Sequence, residues 1–201
     1  ELFESYLQNV FENKGDDWEE KSLNEISENL DRQRVPITKK DRKEGEIPYY
    51  GASGIVDYVQ DFLFDEDLLC ISEDGANLLA RTYPIAFSIS GKTWVNNHAH
   101  ILRFENTTSQ YFVEYYLNSI KLDDFVSGMA QPKLNQTKLN TIPIPFPNSI
   151  KEREKVVLKL DALTAECKKL ESIYTQKLAD LEEMKKSILQ KAFSGQLSTI
   201  N

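Results

Sequence analysis

The residues from Lys151 to Phe193 read KEREKVVLKLDALTAECKKLESIYTQKLADLEEMKKSILQKAF and contain neither proline nor glycine. An uninterrupted run of this kind predicts one continuous α-helix. At about 1.5 Å of rise per residue, the helix would be roughly 65 Å long, well beyond the average helix of a globular domain. A helix of this length must pack against something, so it decides how the rest of the chain is interpreted.

The apolar residues of this predicted helix lie mostly four and three positions apart, which is the spacing of a coiled-coil seam. The seam comprises Val156, Leu160, Leu163, Cys167, Leu170, Tyr174, Leu178, Leu181, Met184 and Ile188. The step from Tyr174 to Leu178 is four where three is due, a stutter that locally unwinds a supercoil. We expect a partner helix from this chain, from another copy or from a longer parent chain. The alternative is a surface helix that lies on its own globular domain.

The composition is ordinary for a soluble globular protein, with 201 residues, 40% of them hydrophobic and 10% aromatic. No apolar run approaches the 18 or so residues of a membrane span, and no secretory leader pattern is recognised. Cys70 and Cys167 lie far apart, which favours reduced thiols over a disulfide framework. We therefore expect a cytoplasmic protein without membrane contact, and the start at Glu1 indicates an excised fragment.

The net charge of −8 is unevenly distributed along the chain. Residues 151–201 hold 10 Lys and Arg against 8 Asp and Glu, so residues 1–150 hold the remaining 14 against 24. An acidic body argues against bulk electrostatic attraction to nucleic acid. Any contact with DNA must therefore be local.

The first eleven residues, ELFESYLQNVF, have helical spacing and resemble the end of the long helix, EMKKSILQKAF, at a constant offset of 182. The identical pairs are Glu1 with Glu183, Ser5 with Ser187, Leu7 with Leu189, Gln8 with Gln190 and Phe11 with Phe193. This match indicates an internal repeat, although two unrelated amphipathic helices could also produce it. If it is a repeat, residues 1–14 are the tail of a preceding helical region.

Residues 15–148 have the pattern of a mixed, β-rich globular domain, and residues 149–201 form the helical region that follows. We expect strands at Ile47–Tyr50, Ile55–Val59, Leu68–Ser72, Ile85–Ile89 and Thr93–Phe104, a helix at Gln110–Ile120 and a stiff, extended junction at Ile142–Pro147. The expected fold class is therefore α+β, with a long C-terminal helix of the coiled-coil type.

The segment Asp31–Lys43, DRQRVPITKKDRK, places six cations around Pro36 in an otherwise acidic body. Such a cluster suits contacts to DNA phosphates, and the plainer alternative is a solvated loop.

No catalytic apparatus is recognisable in the sequence. His98 and His100 would share one face of a strand, but too few partners accompany them for a metal site to be expected. Cys70 lies in an apolar run where a small buried residue is expected. Motifs for phosphate binding, dinucleotide binding and amino-methyl transfer are missing. What remains fits either a DNA-recognition module on a spacer or a helical scaffold with a β-rich head that never touches DNA.

Five stretches carry a resemblance to one family. They are IPYYGASGIVDYV (Ile47–Val59), LLCISEDGANL (Leu68–Leu78), WVNNHAHILRF (Trp94–Phe104), GMAQPKLNQTKLNTIPIPFP (Gly128–Pro147) and SILQKAFSGQL (Ser187–Leu197). Together they resemble one half of the specificity subunit of a type I restriction-modification enzyme, namely a target recognition domain followed by a conserved helical region. Members of that family usually carry two recognition domains, and here there is one.

The resemblance implies a subunit without catalysis of its own that recognises half of a bipartite target in double-stranded DNA. It implies docking of modification subunits, which bind S-adenosylmethionine and methylate adenine, and of restriction subunits through them. No cofactor is then expected on this chain. The resemblance also gives the internal repeat a cause, because each recognition domain of a full subunit sits between two helical regions. The chain would be the second half of such a subunit, or a half-subunit that dimerises through the long helix.

Candidate DNA contacts follow from residue chemistry. We predict phosphate contacts from Lys39, Lys40, Arg42 and Lys43, and positions near bases or backbone for Tyr49, Tyr50, Ser53, Arg81, Lys92, Asn96 and Asn97. For each of these residues, a solvated side chain or a fold-holding turn is the alternative.

Overall fold

The computed structural model describes residues 2–128 and 130–194. Its helices are α1 (Leu2–Glu12), α2 (Leu23–Ile26), α3 (Asn77–Ala80), α4 (Thr107–Ser119), α5 (Gln136–Leu139) and α6 (Ile150–Phe193). Its strands are β1 (Trp18–Lys21), β2 (Ser27–Asn29), β3 (Ile47–Gly51), β4 (Gly54–Val59), β5 (Phe64–Asp65), β6 (Leu68–Ser72), β7 (Ala86–Ile89), β8 (Lys92–Val95), β9 (Ala99–Phe104) and β10 (Ile144–Pro147). Glu1, Met129 and residues 195–197 of the quoted stretches lie outside the described residues.

The α+β class and the long C-terminal helix are confirmed. By compactness the chain divides into two units, of which the first ends at Leu160 and the second begins at Asp161. Within the described ranges, every helix is too short or too polar to cross a membrane.

Within the described residues, three sheets build the first unit. A central antiparallel sheet has the order β2-β9-β6-β7, and a second sheet has the order β4-β3-β8-β5, in which β3 and β8 run parallel. The third sheet is the antiparallel pair β1-β10. Strand β4 therefore lies at an edge of the second sheet.

Strand β6 explains how the layers are joined, because all five of its residues are buried. Side chains alternate across a strand, so Leu69 and Ile71 face one apolar cluster while Leu68 and Cys70 face another. The first cluster includes residues of α1, α4 and the start of α6, and the second includes residues of the second sheet. The central sheet is thus covered on both faces, which accounts for the continuous apolar run in its sequence.

The predicted N-terminal helix is present as α1 and packs inside the first unit. Leu7 and Phe11 are buried, and the Phe11 ring lies 5.5 Å from Phe112 and 5.2 Å from Tyr116 of α4. Edge-to-face contacts of this kind add to the area that the rings bury. Whatever precedes it, this helix contributes to the core of the domain that follows it.

The proline run is extended, as expected of a stiff junction, but we did not expect it to pair with another strand. Its residues form β10, which pairs with β1 from Trp18 opposite Pro147 to Lys21 opposite Ile144. Proline is tolerated because this sheet has two strands, so each strand is an edge. The partner strand lies more than 120 residues away in sequence, which is why local pattern did not indicate the pairing.

The first turns of α6 pack on the first unit through Val156, Val157 and Leu160, so the compact unit extends past residue 148. For these first turns, the helix lies on its own globular domain, which was the alternative interpretation of the sequence. The predicted strand Thr93–Phe104 was wrong as a single element, because a turn at residues 96–98 divides it into β8 and β9.

Candidate nucleic-acid interface

Two arginines hold the basic loop onto the fold. The Arg34 Nη1 atom donates to Glu73 Oε2 at 2.6 Å and to the Ala99 carbonyl at 2.7 Å. The Arg42 Nη1 atom donates to Asp57 Oδ2 at 2.7 Å, and this hydrogen bond is the main cause of the lowered pKa of Asp57. These arginines are anchors of the loop, and Arg42 uses its Nη1 and Nε atoms within the fold.

Arg42 also packs over Tyr49, with its guanidinium carbon 4.3 Å from the ring centre. Tyr49 is 1% exposed, and its hydroxyl accepts a hydrogen bond from the Ile37 backbone nitrogen at 3.1 Å. Nearby, the Trp94 indole donates to the Val35 carbonyl at 2.7 Å. The loop is therefore bound to one face of the second sheet, and the burial of Tyr49 contradicts a direct contact with bases.

The lysines of the same loop behave differently. Lys39 and Lys40 lie in a 3-10 turn, Lys43 follows it, and all three are exposed. Among the described residues none of the three forms a salt bridge, although the charge of Lys39 contributes to the lowered pKa of Asp57. Two cations of the loop thus hold it in place, while these three remain available to an external anion.

Tyr50 connects the second sheet to the central sheet. Its ring is stacked on Phe87 with centroids 6.0 Å apart and is half-buried. Burial is the main cause of its raised pKa, and neighbouring Cys70 and Tyr58 act in the same direction. Tyr50 can present one ring edge to a ligand, but its principal contact is within the fold.

The predicted amide and hydroxyl residues also include both a buried residue that supports the fold and residues that are exposed. Asn96 is 7% exposed, its Oδ1 atom accepts from the His98 backbone nitrogen at 2.8 Å, and it therefore holds the turn between β8 and β9. Ser53 and Asn97 are exposed. The Ser72 hydroxyl donates to the Ala52 carbonyl, which ties the β3–β4 turn to the end of β6. The burial of Asn96 makes it a supporting residue, whereas its neighbour Asn97 is open to a ligand.

The remaining two candidates lie in different surroundings. Arg81 has a φ of 53°, its Nη2 atom donates to the Leu117 carbonyl at 2.8 Å, and burial lowers its pKa. It joins the end of α3 to α4 and so belongs to the helical layer, which argues against a base contact. Lys92 is exposed on β8 with its ammonium 4.8 Å from the centre of the Phe62 ring.

Sequence reasoning missed a buried charge network beside these turns. His100 is 1% exposed, with Nδ1 2.6 Å from Asp31 Oδ2, and Arg34 lies between Asp31 and Glu73. Lys133 is 3.0 Å from Glu73. Buried charges are tolerated when they are paired and hydrogen-bonded, so this network fixes the ends of β6 and β9.

The two histidines do not share a strand face, because His98 lies in the turn while His100 lies in β9. His98 Nδ1 is 2.8 Å from Asp74 Oδ2. In the part of the chain that the structure covers, no group of three or more His, Cys, Asp or Glu side chains is placed to hold a metal ion. Cys70 is fully buried, and burial raises the pKa of its thiol.

Sequence reasoning also missed the exposure of the apolar residues on β4. Ile55, Val56 and Tyr58 are 49%, 52% and 51% exposed, and we call these three residues the hairpin surface. Tyr50 lies opposite Ile55 and Tyr49 lies opposite Asp57, so Val56 is an extra residue that forms a β-bulge. The available signal was the run of apolar residues directly after the turn at residues 51–54.

The predicted seam of α6 has two different environments. Val156 and Leu160 are buried, and Leu163 and Cys167 are half-buried. The later positions are between 49% and 65% exposed, namely Leu170, Tyr174, Leu178, Leu181, Met184 and Ile188. A contiguous apolar stripe of this length on a water-facing helix is typical of an interaction site.

Comparison with known proteins gives a consistent result. A family model described as "Type I restriction modification DNA specificity domain" matches residues 15–183. A protein of Haemophilus influenzae named for a type I restriction enzyme specificity subunit is 34% identical over 161 residues, covering 80% of this chain and 40% of that protein. The EcoDI specificity subunit of Escherichia coli is 36% identical over 72 residues, covering 36% of this chain and 16% of its own length.

Solved structures show the same fold. A chain from a study of complex assembly in a type I restriction-modification system has a TM-score of 0.74 at 18% identity, covering 98% of this chain and 52% of that chain. The HsdS subunit of Thermoanaerobacter tengcongensis has a TM-score of 0.62 at 20% identity, with coverages of 98% and 51%. The chain thus spans about half the length of these structures.

Proposed function

This chain belongs to the family of type I restriction modification DNA specificity domains, and from this premise we propose that it recognises one half of a bipartite DNA target. The observation that carries the proposal is the family match over residues 15–183, which includes the β-rich unit and most of α6. The chain acts as the non-catalytic specificity part of a complex, and the chemistry is performed by other subunits.

The DNA-facing side of the proposal rests on the basic loop and the second sheet. Lys39, Lys40 and Lys43 supply phosphate contacts, which fix the position of the protein on the duplex without conveying sequence. Ser53 and Asn97 lie on exposed turns and offer hydrogen-bonding groups to base edges. The buried residues Tyr49 and Asn96, together with the half-buried Arg42, hold these elements in place.

The partner-facing side rests on the exposed part of the α6 seam. An unpaired apolar stripe with coiled-coil spacing fits a partner helix, supplied by a second copy of this chain or by the rest of a longer subunit. That helix pair sets the distance between two recognition domains and docks the modification subunits. These subunits carry S-adenosylmethionine, and restriction subunits join the complex through them.

The decisive experiment co-expresses the full subunit that contains this chain with its modification subunit and maps adenine methylation across the host genome. The proposal expects one bipartite motif with an unread spacer. A complex that assembles but methylates no defined motif would favour the second candidate, a helical scaffold with a β-rich head. The specific observation behind that candidate is the same apolar stripe, which would bind a helix whether or not DNA is recognised.

A further inference from the structure

We propose that Val56 is a specificity-determining residue that contacts the 5-methyl group of a thymine in the major groove, and that the β3–β4 hairpin carries it there. This inference rests on the proposed function and identifies the part of the β-rich unit that distinguishes one base from another. It concerns a residue whose exposure became visible only in the structure.

The β-bulge determines where Val56 points. In a regular strand Val56 and Asp57 would face opposite sides, but the bulge leaves Val56 as an extra residue between the pairs Tyr50–Ile55 and Tyr49–Asp57 and breaks this alternation. A Cβ atom built on Gly51 would lie 3.0 Å from Val56 Cγ1, so Val56 sits over the Gly51 backbone on the same face as Tyr49. Val56 is nevertheless 52% exposed, because β4 is an edge strand.

The support beneath Val56 is rigid. Asp57 is held by the 2.7 Å hydrogen bond from Arg42, and Arg42 is held by the buried Tyr49 ring. Asn96 lies on the same side of Gly51, because its Nδ2 atom would be 3.4 Å from the same Cβ position. A contact residue on a fixed scaffold pays little ordering entropy when it binds.

Charge favours DNA over a protein partner at this position. The charge of Lys39 makes a small contribution to the lowered pKa of Asp57, whose main cause is Arg42, so a cation predicted to contact phosphate acts on the residue that follows Val56. Lys40 and Lys43 belong to the same loop, whereas residues 1–150 as a whole are strongly acidic. Exposed apolar groups beside local cations complement a duplex, which presents apolar base features between two rows of phosphates.

The position of β4 and the apolar side chain of Val56 then indicate which feature of a base Val56 would contact. Sheets can present a strand to a groove of DNA, and β4 is the outer strand of its sheet, while its neighbour β3 also pairs with β8. Valine can neither donate nor accept a hydrogen bond. The apolar feature that the major groove offers to such a side chain is the 5-methyl group of thymine.

The test uses the full subunit assembled with its modification subunits and the motif mapped for the wild type. Each thymine of the target, on both strands, is replaced in turn by deoxyuridine, which lacks the methyl group, and the affinity is measured. We expect one replacement to weaken wild-type binding about fourfold, as for one lost methyl contact. With Val56→Ala, the same replacement should have no further effect, and the mapped motif should become degenerate at that position.

Leu79→Ala is the matched control, because Leu79 is an exposed apolar residue (43%) of the first unit that lies on α3. It should leave the motif and the deoxyuridine profile unchanged. Val56→Ala with an unchanged motif and an unchanged profile would overturn this inference alone. Weaker assembly with the modification subunit would also overturn it, since Val56 would then belong to a protein interface. The absence of any motif for the wild type would overturn the proposed function as well.

Discussion

The two parts of α6 have the same apolar spacing and opposite environments. Val156 and Leu160 are 8% and 0% exposed, while Tyr174 and Leu178 are 61% and 65% exposed. The first part completes the core of its own domain, and the second part presents its seam to solvent. The comparison teaches that the heptad pattern specifies a face to be buried but does not specify what will bury it.

The energetic consequence follows from what each side chain loses on unfolding. Leu160 passes from a fully buried site to water, so its burial contributes to the stability of the isolated chain. Leu178 is mostly in water already, so its contribution appears only when a partner covers it. The same residue type at equivalent seam positions therefore stabilises folding in one case and association in the other.

The largest expected effect is on the stability of the first unit. We predict that Leu160→Ala lowers the free energy of unfolding by about 2–5 kcal/mol, because it leaves a cavity in the core. Leu178→Ala should change it by less than about 0.5 kcal/mol. Urea denaturation of the two variants measures both values. Similar losses for both would show that the exposed seam is already covered, and the comparison would fail.

A contrast between a mostly buried carboxylate and an exposed one should give the second-largest change in the free energy of unfolding. Burial is the largest influence on the pKa of Asp31 and acts to raise it, but the hydrogen bond and charge of His100 and the bond from Ile101 leave it lowered. A lowered folded pKa means that Asp31 stabilises the fold above the unfolded pKa of about 4 and loses this contribution as the pH falls through the folded pKa.

We therefore predict that Asp31→Asn lowers the free energy of unfolding at pH 7 by about 2 kcal/mol and flattens its loss below about pH 4. The control is Asp180→Asn in the exposed part of α6, where Asp180 accepts a hydrogen bond from Gln176 at 2.7 Å in full contact with water. It should have almost no effect at either pH. Denaturation curves at several pH values test this, and an unaltered pH dependence for Asp31→Asn would contradict it.

The sequence predicts features that depend on neighbouring residues better than features that depend on residues far apart in the chain. The long helix was predicted at Lys151–Phe193 and found at Ile150–Phe193, because helical periodicity is local. The strand pairing of Trp18–Lys21 with the proline run was missed, because it depends on residues far apart in sequence. Likewise, nothing in Ile47–Gly51 indicates that Tyr49 faces inward under Arg42 while Tyr50 stacks on Phe87.

The basic loop shows the same limit at the level of the site. Composition predicted a cluster of cations, and the cluster exists. It could not separate the arginines that anchor the loop from the lysines that remain exposed, because this depends on the positions of Asp57 and Glu73 in other elements. Arginine is the residue that forms planar, multiple hydrogen bonds, so its use for anchoring is physically reasonable.

The third-largest expected effect is on the association of α6 with a partner helix through the exposed seam. We predict that Leu178→Ala weakens the association of this chain with a partner helix on a separate chain about tenfold, because a side chain that is buried only in the complex is truncated. Sedimentation or light scattering across a concentration series measures this. Lys169→Ala, at an exposed position of α6 outside the predicted seam, is the matched control and should change assembly far less. Unchanged assembly for Leu178→Ala would place the partner elsewhere.

The smallest effect should be on the salt dependence of DNA binding, where the basic loop repeats the contrast between buried and exposed residues. Each of Lys39→Ala, Lys40→Ala and Lys43→Ala should reduce the slope of log affinity against log salt by about 0.9 for each lost phosphate contact, without changing stability.

The controls for this prediction lie elsewhere on the first unit. Lys14→Ala and Lys121→Ala alter exposed lysines beside α1 and the end of α4, so they should leave the slope unchanged. Arg42→Ala should instead lower the stability of the domain, because it leaves Asp57 and the Tyr49 ring without their partner. A slope that falls equally for the loop lysines and for the controls would mean that the overall charge of the protein, and not the loop, determines the salt dependence of DNA binding. A slope that falls for the loop alone would place the phosphates beside the hairpin surface.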